Sequence, residues 1–140
     1  MRRASWEHFP HDADMGVRGL GSSLEEAFEG AALALCALTT ELGEISGKES
    51  VEIRCEAPDR EMLLVDWLNA IVFEMATRGM VFGAFRVTID DGRLRGTAWG
   101  EKRDRERHDV GVEVKGATFT ELRVAERGDG TWVAQCIVDV

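Results

Sequence analysis

No apolar run in this sequence approaches the roughly 20 residues needed to cross a bilayer, which excludes a helical membrane span. Nor does the N-terminus offer a secretory signal, because Met1-Arg2-Arg3-Ala4-Ser5-Trp6-Glu7-His8 turns acidic before an apolar segment can form. The expected compartment is therefore the cytoplasm. Cysteine is sparse: Cys36, Cys55 and Cys136 are scattered and lack a Cys-x-x-Cys spacing. Each falls on an apolar face and reads as a small buried hydrophobe, not as part of a zinc or redox centre. Gly-x-Ser-x-Gly elbows, P-loops and Gly-x-Gly-x-x-Gly turns do not occur. With three histidines and no evident nucleophile, no catalytic triad can be assigned. Repeats, low-complexity tracts and linkers are missing as well.

What is present describes an ordinary globular chain. Its 140 residues, 44% hydrophobic and 31% charged, predict a single domain over residues 1–140. Such a chain buries about two-thirds of its unfolded surface and needs no disulfide or metal staple. Acids outnumber bases by 26 to 17, for a formal charge of −9. A phosphate backbone is repelled by that balance, so autonomous nucleic-acid binding is not expected. Divalent cations and basic proteins are attracted by it.

Periodicity predicts an α+β domain: a two-layer sandwich of a mostly antiparallel sheet with two helices packed on one face. Trp6 to Phe9 reads as a strand, Pro10 to Asp14 as a polar turn, and Met15 to Leu20 as a second strand. Ser23 and Glu26 fit a capping box that opens a helix carrying Leu24, Ala27, Phe28, Ala31, Leu35 and Leu38 to about Thr40. Gly43 to Gly47 is a loop. Val51, Ile53 and Cys55 alternate with charges as a half-exposed strand. Pro58-Asp59 then starts a second helix with Leu63, Leu64, Trp67, Leu68, Ile71, Val72 and Met75, ending at Gly79. Its wide apolar arc predicts that it is the more buried of the two helices. Phe85 to Ile89 and Leu94 to Trp99 form a hairpin about Asp90-Asp91-Gly92. A charged segment, Glu101 to Asp109, interrupts the sheet. Strands at Val112–Phe119, Leu122–Glu126 and Thr131–Val138 complete the pattern, the last two joined by a turn at Asp129-Gly130.

Two constellations could carry chemistry. Asp12 and Asp14, two residues apart, can face one side of an extended segment, and Asp139 stands near the other end of the sequence. Their oxygens suit a hard cation such as calcium, magnesium or manganese. The alternative is that both early aspartates are turn formers and Asp139 is a frayed terminal residue. His11 can orient a neighbouring carboxylate from the outer shell. His8-x-x-His11 has no thiol pair or third histidine in register, so a zinc site there is not expected. The second constellation is the run Lys102-Arg103-Asp104-Arg105-Glu106-Arg107-His108, either a solvated connection or a docking patch.

Several stretches, in order and at matching spacing, carry a resemblance. They are Phe9-Pro10-His11-Asp12-Ala13-Asp14-Met15-Gly16-Val17, Leu24-Glu25-Glu26-Ala27-Phe28, and Trp67-Leu68 running into Gly79-Met80-Val81-Phe82. Trp99-Gly100-Glu101, Arg107-His108, Glu113-Val114-Lys115-Gly116-Ala117-Thr118 and Ile137-Val138-Asp139-Val140 follow. Over nearly its whole length the chain resembles the archease family, the small partners of RtcB-type RNA-splicing ligases. The resemblance implies a non-catalytic activator that promotes guanylylation and multiple turnover of the ligase in tRNA splicing and RNA repair. It also implies a divalent cation, typically calcium, held by Asp14, Asp139 and the carbonyl or terminal carboxylate of Val140. On the residues themselves, His11 and Asp12 are candidate outer-shell or additional ligands. Arg103, Arg105, Arg107, His108 and Lys115 are the candidate partner contacts. Two departures stand out: Asp12 replaces the family's usual threonine, and Phe119-Thr120 replaces a tyrosine often followed by histidine. Two rival readings are a small metal-dependent phosphoester hydrolase and a metal-independent interaction module.

Overall fold

Alternating side chains and a two-residue turn build the first hairpin in the computed structural model, which describes residues 4–108 and 111–140. Strand β1 covers Ser5–His11 and β2 covers Asp14–Gly21, paired antiparallel from Ser5↔Leu20 to His11↔Asp14. The predicted turn at Pro10–Asp14 thus shrinks to Asp12-Ala13. Pro10 stays inside a strand because β1 pairs only with β2, so its missing N–H interrupts no ladder. Asp12 supplies the positive φ of 50° that the tight turn needs, a conformation aspartate tolerates better than a β-branched residue does.

Helix α1 spans Leu24–Thr39, and Ser23 Oγ accepts the Glu26 N–H at its start. The capping box closes differently from its usual form, since the Glu26 carboxylate accepts from the Ser22 N–H at 2.7 Å and the Ser22 hydroxyl at 2.8 Å. Strand β3 (Glu49–Glu56) leads to helix α2 (Arg60–Arg78), capped by Asp59 and terminated by Gly79 in the left-handed region. Strands β4 (Met80–Asp90) and β5 (Arg93–Lys102) form the predicted hairpin. Asp91 and Gly92 both have positive φ, as a two-residue type I′ turn requires. Strands β6 (Gly116–Ala117), β7 (Arg123–Glu126) and β8 (Trp132–Asp139) follow.

The α+β class with antiparallel pairing is as predicted; the layering is richer. The strands divide into a five-stranded sheet, ordered β1-β2-β8-β6 with β7 also on β8, and a three-stranded sheet, β3-β5-β4. Both helices touch both sheets. Helix α1 meets β1, β2 and β8 of one and β4 of the other, while α2 meets β3, β4 and β5 as well as β6 and β7.

One expectation is overturned: α1 is the more buried helix. It buries 10 of its 16 residues, against 6 of 19 in α2, which leaves Phe73 exposed. Small residues are the reason. Gly30 of α1 lies so close to β1 and β2 that a Cβ there would sit 2.2 Å from the Ser5 carbonyl oxygen and 2.9 Å from the Gly19 Cα. With alanines around it, α1 is apolar on nearly every side and needs cover from both sheets.

The predicted strand Val112–Phe119 is also reduced, to Gly116–Ala117. The Gly111 and Val112 N–H groups instead donate to the carbonyls of Thr39 and Leu38, satisfying acceptors left over at the end of α1. Asp109, the last residue of the predicted charged segment, lies outside the described residues.

Candidate functional site

Strand register brings the two ends of the sequence together. Met15 pairs with Val138 and Gly16 with Ile137. Antiparallel pairing steps forward on one strand as it steps back on the other, so Asp14 stands opposite Asp139. His11 pairs with Asp14 on the far side, and Asp139 pairs with Gly116. Residues directly opposite project to the same face. That face points away from α1, because Gly19, of the other parity on β2, is the residue pressed against the helix backbone.

Asp139 is neither frayed nor free. Gly116 pairs with it, and the Lys115 N–H donates to its carbonyl at 2.7 Å. Val140, half-buried, packs its side chain against the core. Asp14 is half-buried, and Asp12 and Asp139 are exposed. None of the three forms an ion pair among the described residues. Two carboxylates placed cross-strand repel each other unless a cation joins them. Carboxylate oxygens are the donors that hard cations take. Side chains alone do not complete a site: among the described residues, no group of three or more His, Cys, Asp or Glu could hold a metal ion. Main-chain oxygens would have to contribute. Asp12 sits at the turn itself, where its backbone conformation accounts for its presence.

The two early histidines separate. His8 contacts the Ala34 carbonyl of α1 through Nε2 at 2.7 Å, whereas His11, of opposite parity on β1, shares the outer face with Asp14. A shared zinc ion is excluded by that alternation. Burial raises the thiols of Cys36 and Cys136 to about 12 and that of Cys55 to about 11, as inert hydrophobes require.

The basic segment does not present all its cations to solvent. Arg103, Arg105 and Lys115 are exposed and form no ion pair among the described residues. Arg107 is exposed as well but is paired with Glu101, and its Nη2 also donates to the Glu44 carbonyl at 3.3 Å. His108 is only 2% exposed and so is no surface contact. Its Nδ1 accepts the Asp104 N–H at 2.8 Å, which places the ring proton on Nε2, facing the Glu101 carboxylate at 3.0 Å. The segment is a loop folded over a buried acid.

Glu101 itself is a residue that periodicity missed. Its carboxylate accepts the Ser46 N–H at 2.7 Å, which is the largest influence holding it down to about 2; burial opposes this, and His108 and Arg107 add to the lowering. Lys48 lies 3.7 Å away. The Trp99-Gly100-Glu101 and Arg107-His108 stretches were visible in the sequence, but nothing in their spacing pairs them. A carboxylate depressed in the folded state adds stability above its unfolded pKa and loses it as pH falls through the folded value. Melting temperature is therefore expected to fall between about pH 4.5 and pH 2, the interval set by the ordinary and depressed values. Glu101→Gln should flatten that interval; an unchanged pH profile would remove Glu101 from the account.

Sequence and structure comparisons identify the family and the fold. The model of the Archease protein family matches residues 6–140. A protein archease of Pyrococcus furiosus is 42% identical over 139 residues, covering 96% of this chain and 98% of that protein. One from Thermococcus gammatolerans is 40% identical with full coverage of both, 100% each. The solution structure of Methanobacterium thermoautotrophicum protein 1598 superposes with a TM-score of 0.85 at 35% identity, covering 97% of this chain and 99% of that one. No helix of the described residues is long and apolar enough to cross a membrane. With a family model matched from the first hairpin to the last residue and relatives aligned almost end to end, this chain belongs to the archease family.

Proposed function

We propose that this archease binds a divalent cation, calcium first and magnesium or manganese as alternatives, through Asp14, Asp139 and the main-chain oxygens of Val140. With that site it activates an RtcB-type RNA ligase in the cytoplasm, promoting guanylylation and repeated turnover in tRNA splicing and RNA repair. It carries out no reaction itself. The observation that supports this most directly is the register that sets Asp14 opposite Asp139.

The residues divide the work. Asp14 and Asp139 supply negative charge from adjacent strands, so their spacing is held by backbone pairing and not by flexible loops. The Lys115 N–H fixes the Asp139 peptide, and His11, paired with Asp14, orients that carboxylate. Asp12 holds the turn and reinforces the local negative potential. A bound cation supplies charge neutralisation where the ligase arranges its guanine nucleotide, the main lever in phosphoryl-type transfer. Exposed Arg103, Arg105 and Lys115 provide directional contacts to the ligase, with Arg107 and His108 holding the loop in shape.

Guanylylation of the ligase is the decisive assay. Wild type should accelerate it, and Asp14→Ala and Asp139→Ala should each lose that stimulation. Calcium at about a hundred times its Kd should stabilise the wild type by about 2.7 kcal/mol and neither variant. Equal stimulation by all three proteins would end the reading.

A further inference from the structure

The outer face of the three-stranded sheet carries charges that its own fold does not explain. Inward side chains of these strands, such as Val51, Ile53, Leu94, Ala98 and Val87, are buried in the core. On the outer face Arg54 stands directly opposite Arg95, and Thr88 stands opposite Arg95 on the other side. The row Arg54–Arg95–Thr88 therefore crosses all three strands with two guanidiniums side by side. All three residues are exposed.

Like charges in directly opposed positions, about 5 Å apart at Cβ, oppose pairing of the strands. This chain has 26 acids and only 17 bases, so a neutralising partner would have been easy to place. None is there: among the described residues neither Arg54 nor Arg95 forms an ion pair. Arg93, one row along, is by contrast paired with Glu56 at 3.1 Å. A cleft of about 530 Å³ opens at this row, with Arg54, Thr88 and Arg95 among its walls and Glu56, Asp90 and Arg93 at its end.

We propose that this cleft binds a single phosphate group, free or as a terminal monoester. Two forked guanidiniums offer parallel N–H pairs from two sides; the Thr88 hydroxyl beside them donates to the Arg95 carbonyl at 3.4 Å and forms part of the wall. A carboxylate is satisfied by one such fork, whereas a phosphate has the charge and the oxygens for two. The neighbouring rows narrow the ligand further. Glu56↔Arg93↔Asp90 lies on one side and Glu52↔Thr97↔Arg86 on the other. Acids on both sides repel an extended polyanion such as an RNA strand, while a compact oxyanion touches only the central pair. The site lies in a different sheet from Asp14 and Asp139 and does not depend on the cation or on the ligase.

Thermal unfolding in inorganic phosphate, with chloride matching the ionic strength, tests this, and a nucleoside monophosphate forms a second arm. At about ten times Kd the wild type should gain about 4 °C. Equal shifts in the two arms identify the phosphate group alone as the ligand; a larger shift for the nucleotide identifies the monoester. Arg54→Gln and Arg95→Gln should lose the response, and Arg123→Gln, on the other sheet, should keep it. Without ligand, Arg95→Gln should melt no lower than wild type, since it relieves a repulsion. No shift in the wild type, or an equal shift in both cleft variants, would overturn the proposal.

Discussion

Gly30→Ala is expected to destabilise this protein, by about 1–3 kcal/mol, although it replaces the poorest ordinary helix former with the best. Propensity alone predicts a gain of about 1 kcal/mol at a mid-helix glycine. Packing reverses the sign. The added methyl would lie 2.2 Å from the Ser5 carbonyl oxygen, 2.9 Å from the Gly19 Cα and 3.1 Å from the Leu20 nitrogen. All three are backbone atoms of β1 and β2, so no rotamer change relieves the contact, and the helix must back away from the sheet. Gly30→Val should be worse, because a branched side chain also stiffens against the preceding turn. Urea unfolding of the two variants measures this directly. A midpoint above wild type for Gly30→Ala would mean that α1 and the first hairpin do not pack as closely as described.

Trp67→Ala should cost about 3–5 kcal/mol, a large share of the 5–15 kcal/mol that holds a typical domain together. Trp67 is fully buried in α2, and its indole bridges three elements. The ring lies under Gly96 of β5 and meets Phe85 of β4 edge-on, with centroids 5.9 Å apart. Its Nε1–H donates to the Phe28 carbonyl of α1 at 3.1 Å. Removing it opens a cavity where both helices and the three-stranded sheet converge. Trp67→Phe keeps most of the apolar contact and drops the hydrogen bond, so it should cost less, about 1–2 kcal/mol. If the two substitutions were equally damaging in chemical unfolding, the hydrogen bond and not the packing would be the dominant contribution.

These two residues show how far the sequence could be read. Trp67 was legible as a core residue because it falls on a helical stripe with Leu63, Leu64, Leu68 and Ile71. Gly30 was not, because a glycine inside a helix looks the same whether it faces water or another backbone. The site behaves alike. Asp14 and Asp139 were picked out by residue type and by family resemblance, and pairing then set them in adjacent strands. His108, read as a surface contact, turned out to be buried against Glu101, a partner seven residues away for which no helical or strand period accounts.

By itself the sequence determined what is local: two helices with their caps at Ser23 and Asp59, the left-handed stop at Gly79, and the Asp91-Gly92 hairpin. Tertiary structure decided the division into two sheets, the burial of α1 between them, the opposition of Asp14 to Asp139 and of Arg54 to Arg95, and the enclosure of Glu101. Caps, turns and periods depend on interactions within a few residues, so composition and spacing encode them. Which strand lies beside which, and in what register, depends on closing long loops around a shared core, and only the folded chain makes that choice.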